Sequence, residues 1–327
     1  MHKDAKIYIA GYPGLLGLAL EQELKLQGFS NLLTPTMDDF DLRNHVQVAD
    51  YFSEHKPEYV FLTAAKVGGI QDYVQFPVDF MQDNMRIISN VLAAAHQFRV
   101  TKLLFFSSAC VYAEACAQPI TESQLAEFAL DAESEYYALP KLMGIRLCQA
   151  YQKQYGSNFI SCIPVNLYGE HSILTGQGVG VALIRRLCDA LHNDDVTFEV
   201  WGSGNQRREF LYVGDAARAG LFLMQHYTGP EPVNMGSGYD CTIGEFAALV
   251  AEIIGFKGKL IFDLSKPEGA QQRLLDSSKL FALGCRPLMS LEAGILHVAT
   301  QYKMVIESSA HVLRQAQDER MKSARSS

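Results

Sequence analysis

An apolar strand that runs straight into three glycines at fixed spacing leaves a chain few folding options. Lys6-Ile-Tyr-Ile-Ala-Gly11 reads as a buried strand, Gly11-x-x-Gly14-x-x-Gly17 as the turn after it, and Leu18–Gln27 as an amphipathic helix. The first glycine permits a tight turn, the second lets the backbone approach a pyrophosphate, and the third lets helix and strand pack closely. The helix N-terminus, with Leu15 and Leu16 ahead of Gly17, then faces the phosphates of a ligand. Three glycines alone carry little weight. Between a strand and a helix they imply a dinucleotide site.

The rest of the N-terminal half keeps this rhythm. Asn31–Thr34, Glu58–Ala65 and Lys102–Ser107 read as strands, alternating with helices over Val46–His55 and Asn84–Gln97. That alternation predicts an α/β fold with a doubly wound parallel sheet of the Rossmann type. Tyr137–Tyr155 is the next long helix and Phe159–Asn166 a further strand. After Tyr168-Gly169, helical stretches alternate with turns such as Gly202-Ser-Gly204, Gly229-Pro230 and Gly236-Ser-Gly238, which suggests a smaller, partly interleaved substrate domain. The expected division is a nucleotide-binding domain over 1–168 with interleaved segments near 205–235, a mainly substrate-binding domain over 169–307, and a polar tail over 308–327, frayed or disordered.

Composition excludes several functions. The net charge is −8 and no basic block occurs, so nucleic acid is not an expected partner, and an anionic ligand must be met by local arginines. The 7 cysteines are odd in number, scattered and without metal spacing, which fits reduced thiols in the cytoplasm and no bound metal. The start enters a strand without a signal-peptide apolar region, and no run reaches the apolar length of a membrane span.

The chemistry is carried by Leu104-Phe-Phe-Ser-Ser-Ala-Cys-Val-Tyr112 and Tyr137-Ala-Leu-Pro-Lys141. A Tyr four residues before a Lys on a helix puts both side chains on one face. The ammonium is then expected to favour the phenolate and lower a phenol pKa of about 10. Ser108, at the end of a buried strand, can hydrogen-bond a substrate oxygen while Tyr137 gives or takes its proton. The set Ser108, Tyr137 and Lys141 therefore reads as a carbonyl–alcohol redox site. Asp41, with Leu42, lies where a carboxylate can accept from an adenine amino group; the alternative is a helix cap ahead of Asn44–Val46. Ala64, Ala65 and Lys66 end the third strand, at the edge where ribose and diphosphate would lie.

These residues resemble the extended short-chain dehydrogenase/reductase family, and within it the branch of GDP-sugar 3,5-epimerase/4-reductases. The resemblance is carried by Ala64-Ala-Lys-Val-Gly-Gly-Ile70, Asn84-Met85, Ala94-Ala-His96, Ser107-Ser-Ala-Cys-Val-Tyr112, Asn166-Leu-Tyr-Gly169 and Leu183-Ile-Arg-Arg186. Trp201-Gly-Ser-Gly-Asn-Gln-Arg-Arg-Glu-Phe210, Lys266-Pro-Glu-Gly269 and Arg273-Leu-Leu-Asp276 complete it, over roughly residues 5–300. It implies hydride chemistry at the C4 of a GDP-4-keto-6-deoxyhexose by Ser108, Tyr137 and Lys141, with the nicotinamide cofactor NADPH; the departures below make NADH usable as well. It implies that Cys110 assists epimerisation at C3 and C5, although a small buried hydrophobe in a turn is the alternative. Ser107, Pro164, Asn166 and Leu167 fall on its cofactor side, with Tyr137 and Lys141. Ser108, Asn166, Arg186, Trp201, Arg208 and Arg273 fall on its substrate side. Guanidiniums suit a diphosphate, although each could instead be a surface ion-pair residue. A homodimer is implied as well.

The chain departs from that pattern in three places. Gly178, inside Leu174-Thr-Gly-Gln-Gly-Val-Gly180, stands where the family has the His that is the acid partner in epimerisation, and His171 matches a different family position. Pro13 stands where the family often has Arg. Thr34-Pro-Thr-Met37 lacks the arginines that would grip a 2′-phosphate, and no acidic residue clearly takes the ribose position. Loose cofactor choice and weak or absent epimerisation are the expectations that follow. Among other readings, 4,6-dehydratases carry an acidic pair where this chain has Ala109-Cys110. A UDP-sugar 4-epimerase shares Ser/Tyr/Lys but has no reason for Cys110 or the Trp201–Phe210 block. A non-catalytic nucleotide-binding protein has no need of an intact Ser/Tyr/Lys set.

Overall fold

The computed structural model describes every residue except 126, 128, 133, 173–177, 267–268 and 308–327, so the expectation of a frayed or disordered tail lies outside the described residues. The strands are β1 (Ile7–Ala10), β2 (Leu32–Leu33), β3 (Tyr59–Leu62), β4 (Lys102–Phe106), β5 (Phe159–Pro164), β6 (Asn166–Tyr168), β7 (Thr197–Trp201), β8 (Arg207–Tyr212), β9 (Val233–Met235), β10 (Asp240–Thr242), β11 (Lys259–Asp263) and β12 (Gln272–Arg273). The helices are α1 (Leu15–Leu26), α2 (His45–His55), α3 (Ile70–Gln75), α4 (Pro77–Gln97), α5 (Glu135–Tyr155), α6 (Val179–His192), α7 (Val213–His226), α8 (Ile243–Ile254) and α9 (Ser278–Ala282), with α10 over 291–307.

Six strands form one parallel sheet in the order β2-β1-β3-β4-β5-β9. Register aligns Ile9, Phe61, Leu104 and Ile160 across four of them, and none of the four is exposed to solvent. Such continuous apolar strands are what a sheet covered on both faces requires. The chain leaves β1 for β2 on one side and returns to β3 on the other, so the order reverses at β1. In doubly wound sheets ligands bind outside the carboxyl ends of the strands at such a switch point.

A second assembly lies beyond it. β8 is flanked by β10 and β12 and also pairs β6, while β7 pairs β11 in parallel. Two apolar cores result. The first surrounds the large sheet and takes in Val213 and Ala216 of α7, Val233 of β9 and Leu280 of α9. The second gathers Ile184 and Leu187 of α6, Val200 of β7, Phe246 and Val250 of α8, and Ile295 and Val298 of α10. Among the described residues no helix is long and apolar enough to cross a membrane.

Element boundaries differ from expectation for identifiable reasons. α4 begins at Pro77 rather than Asn84, because a proline at the first helical position is pre-set for the turn. The strand expected over Phe159–Asn166 is two: β5 stays in the large sheet, and Asn166 begins β6, which pairs β8. α2 is capped not by Asp41 but by Asn44, whose Oδ1 accepts from Val46 N at 3.0 Å.

Candidate active site

The glycine turn leaves no room for side chains. Gly11 has φ +128°, and a Cβ there would stand 2.2 Å from Thr63 Oγ1 and 2.6 Å from Ala64 N. At Gly17 a Cβ would lie 2.7 Å from Gly11 O. No side chain caps α1 at Gly14, so the N–H groups of Leu15, Leu16 and Gly17 are open to an anion at the positive end of the helix dipole. This cradle fits a dinucleotide pyrophosphate.

The neighbouring loops carry paired charges. Arg43 Nε donates to Asp41 Oδ1 at 2.9 Å, holding that carboxyl below its usual range, and its Nη1 donates to Asp83 at 3.1 Å. Asp41 therefore meets any adenine with its carboxylate already shared. Leu42 O accepts from Asn90 Nδ2 at 3.0 Å. Ala64 N donates to Ala10 O at 2.8 Å, so the chain after β3 hugs the end of β1. Buried Asn84 of α4 accepts from Lys66 N at 2.8 Å and donates to Lys66 O at 3.1 Å, which pins this stretch. The Lys66 ammonium lies 3.2 Å from Asp79 and 3.4 Å from Asp83.

The catalytic candidates converge at the end of β4. Ser107 Oγ donates to Lys141 O at 3.2 Å, and Lys141 Nζ donates to Phe106 O at 3.0 Å, a reciprocal tie between β4 and α5. Close approach is possible because a Cβ at Gly144 would stand 2.4 Å from the Phe105 ring. Ser108 opens the turn Ala109–Val111, its Oγ accepts from Cys110 N at 3.5 Å, and its hydroxyl lies beside the Tyr137 phenol and the Cys110 thiol. Lys141 Nζ lies 6.0 Å from the Tyr137 ring centroid. Pro164 is buried at the end of β5, with partly buried Asn166 and Leu167 just beyond it on β6.

One expectation is reversed. The phenol was expected to be lowered by the ammonium. Burial instead raises Tyr137 well above the ordinary phenol range, with the Cys110 and Tyr73 groups adding to the rise and the Ser108 hydrogen bond opposing it. Burial also pushes Lys141 down to about 8 and raises the Cys110 thiol. Desolvation disfavours every charged form here and outweighs attraction between unlike groups. The result is a neutral phenol, which is what a proton donor to a carbonyl oxygen requires.

Toward β8 the site turns cationic. Arg208 and Arg273 are direct register partners on β8 and β12, and burial followed by the Arg273 charge pushes Arg208 down to about 10. Arg273 also pairs with Asp131 and donates to Ala109 O at 3.1 Å, so it braces the turn that carries Cys110. Buried Glu209, pushed up to about 7 by burial, accepts from Gly238 N at 2.7 Å and Leu275 N at 2.9 Å, which fixes β8 beside these arginines. Further out, Arg186 Cζ lies 5.6 Å and Lys266 Nζ 5.7 Å from the ring centroid of half-exposed Trp201. Two cations thus stand within cation–π range of one half-exposed indole.

Gly178 has φ +87° and heads α6 without a side-chain cap; residues 173–177 before it lie outside the described residues. His171 Nε2 sits 3.7 Å from Glu170, whose carboxylate accepts the Tyr212 hydroxyl at 3.0 Å, in a turn packed on α1. Two residues of the site escaped the sequence. Asn84 was seen only as part of a family block. Tyr73, on the unexpected α3, stacks on Tyr137 with ring centroids 5.1 Å apart and planes 4° off parallel. No period or spacing pointed to it.

Comparison with known proteins is consistent with this geometry. The model of the NAD dependent epimerase/dehydratase family matches residues 7–236. The chain is 45% identical over 295 residues to GDP-L-fucose synthase 1 of Arabidopsis thaliana, covering 90% of this chain and 91% of that protein. The structure of a GDP-6-OMe-4-keto-L-xylo-heptose reductase from C. jejuni superposes with a TM-score of 0.87 at 33% identity, covering 93% of this chain and 99% of that one. A GDP-L-fucose synthetase from Naegleria fowleri bound to NADP gives a TM-score of 0.84 at 28% identity, covering 94% and 96%.

Proposed function

The chain belongs to the NAD dependent epimerase/dehydratase family, and on that premise we propose that it reduces the C4 ketone of a GDP-4-keto-6-deoxyhexose, as a GDP-L-fucose synthase does. It is an NAD(P)-dependent nucleotide-sugar oxidoreductase of that type. The observation that carries the assignment is the Ser108, Tyr137 and Lys141 set at the end of β4, beside the glycine cradle of α1.

When bound, the nicotinamide dinucleotide supplies the hydride. Gly11, Gly14, Leu15, Leu16 and Gly17 would hold its pyrophosphate, and Asp41 its adenine. Ser108 binds and orients the C4 oxygen, and Tyr137 delivers a proton to it. Lys141 fixes the end of β4 and holds positive charge beneath the phenol. Arg208 and Arg273 offer guanidiniums to the diphosphate, and Arg186 with Trp201 meets the outer part of the nucleotide sugar. The seven free thiols support a cytoplasmic setting, and the family resemblance supports a homodimer.

Mixing the protein with GDP-4-keto-6-deoxymannose and NADPH is expected to consume the cofactor, followed at 340 nm (the ordinary reduced-nicotinamide band). Failure to oxidise NADPH with any GDP-4-keto sugar would end this reading. NADH is expected to serve in the same assay, with kcat/KM within about tenfold of NADPH. Pro13 and Met37 offer no cation to a 2′-phosphate, and Arg43 and Lys66 are already held between carboxylates. A preference beyond about a hundredfold, near 2.7 kcal/mol, would mean that other groups read the 2′ position.

A further inference from the structure

We propose that Tyr73 is a positioning residue for this reduction: it lies flat on the Tyr137 ring, fixes the direction of the phenol and keeps water from it. This rests on the reading of Tyr137 as proton donor. The two rings come from separate elements, α3 and the first turn of α5, yet lie within 4° of parallel at 5.1 Å. Tyr73 is itself held between two rings, Tyr137 and Phe80. It meets the ring of buried Phe80 in an edge-to-face contact at 4.9 Å and 86°. The corner that presents it is closed: Asp72 Oδ2 accepts from Gly69 N at 2.8 Å, and a Cβ at Gly68 would stand 2.8 Å from Phe80.

The ladder Phe80–Tyr73–Tyr137 thus braces a donor whose own helix has barely begun. The groups facing the Tyr137 phenol are Ser108 and Cys110 from the turn after β4, Lys141 from α5, and Tyr73 from α3. Of these, only Tyr73 contributes a broad apolar face. Ser108 stands at the hydroxyl end of the phenol, and the Tyr73 face sets the plane. A proton donor held in plane and shielded on one face meets the substrate oxygen without reorganisation.

The test compares Tyr73→Phe, which keeps the ring, with Tyr73→Leu, which removes it; Tyr73→Met replaces the latter should it fail to fold. Thermal melting and cofactor binding confirm that each variant is folded. Tyr73→Leu is expected to lose about 10–100-fold in kcat with little change in KM for the cofactor, and Tyr73→Phe to restore it. Independently of any substrate, protein labelled with ¹³Cζ-tyrosine reads the Tyr137 phenol, assigned by its loss in Tyr137→Phe. That signal is expected to stay at the neutral shift in wild type and Tyr73→Phe, and to titrate nearer the ordinary value of about 10 in Tyr73→Leu. An unchanged Tyr137 titration and kcat in Tyr73→Leu, or a Phe variant as impaired as Leu, would overturn the proposal. The labelled titration keeps its meaning even if no GDP-4-keto sugar is reduced, so the two readings fail separately.

Discussion

Tyr137→Phe is expected to lower the rate of C4 reduction by about 10²–10⁴ while cofactor binding stays within a few fold. The ring can remain, stacked on Tyr73 and above Lys141, so the fold of the site has no reason to change. What disappears is the one hydroxyl that burial keeps protonated beside Ser108. Ser108 remains as a hydrogen-bond donor to the substrate oxygen, yet a serine hydroxyl is a far weaker proton source than a phenol. Single-turnover oxidation of bound NADPH measures the effect directly, and cofactor titration by fluorescence measures binding. Near-normal turnover would show that another group gives the proton, and a parallel loss of cofactor affinity would show that the phenol serves binding instead.

Much of this was legible before any coordinates. Gly11, Gly14 and Gly17 are legible because steric demands at 2.2–2.8 Å tolerate nothing else. Tyr137 and Lys141 are legible because helical spacing alone brings them to one face. Three things were not. The sign of the Tyr137 shift depends on how deeply the pair is buried, and spacing carries no information on depth. α3 is six residues long, between Gly69 and Pro77, too short to show a period, so Tyr73 had no pattern to reveal it. Asn84 looked like one polar residue in a helix, whereas its amide clamps the Lys66 backbone from a fully buried position. Asp41 is intermediate: it was found as a polar residue at the right loop, but its bond to Arg43 comes from local folding.

Epimerisation at C3 and C5 is expected to be weak, confined to one centre, or absent, while C4 reduction survives. Inverting a carbon alpha to a ketone needs a proton removed from one face and another delivered to the opposite face, which two groups do best. Cys110 is the group proposed for one face, yet burial raises its thiol and so reduces the thiolate that could act as base. Gly178 offers no side chain where the family has a His. His171 Nε2 lies 3.7 Å from Glu170, buried and with no hydrogen-bond partner among the described residues, in a turn that packs on α1. Loss of one positioned acid–base group typically costs about 10²–10⁴ in rate. Reaction in D₂O with NMR of the product reads this centre by centre, and full deuteration at both C3 and C5 at the pace of reduction would sink the idea. Gly178→His should raise exchange if that position faces the sugar. Among the described residues a Cβ there meets nothing closer than Leu167 O at 3.7 Å. The backbone opposes it, because φ +87° with ψ 139° is a region that side chains rarely adopt and costs a non-glycine residue about 1–3 kcal/mol. The gain in exchange should therefore come with a lower Tm, and a variant that gains exchange without losing stability would show that α6 re-forms its first turn around the new side chain.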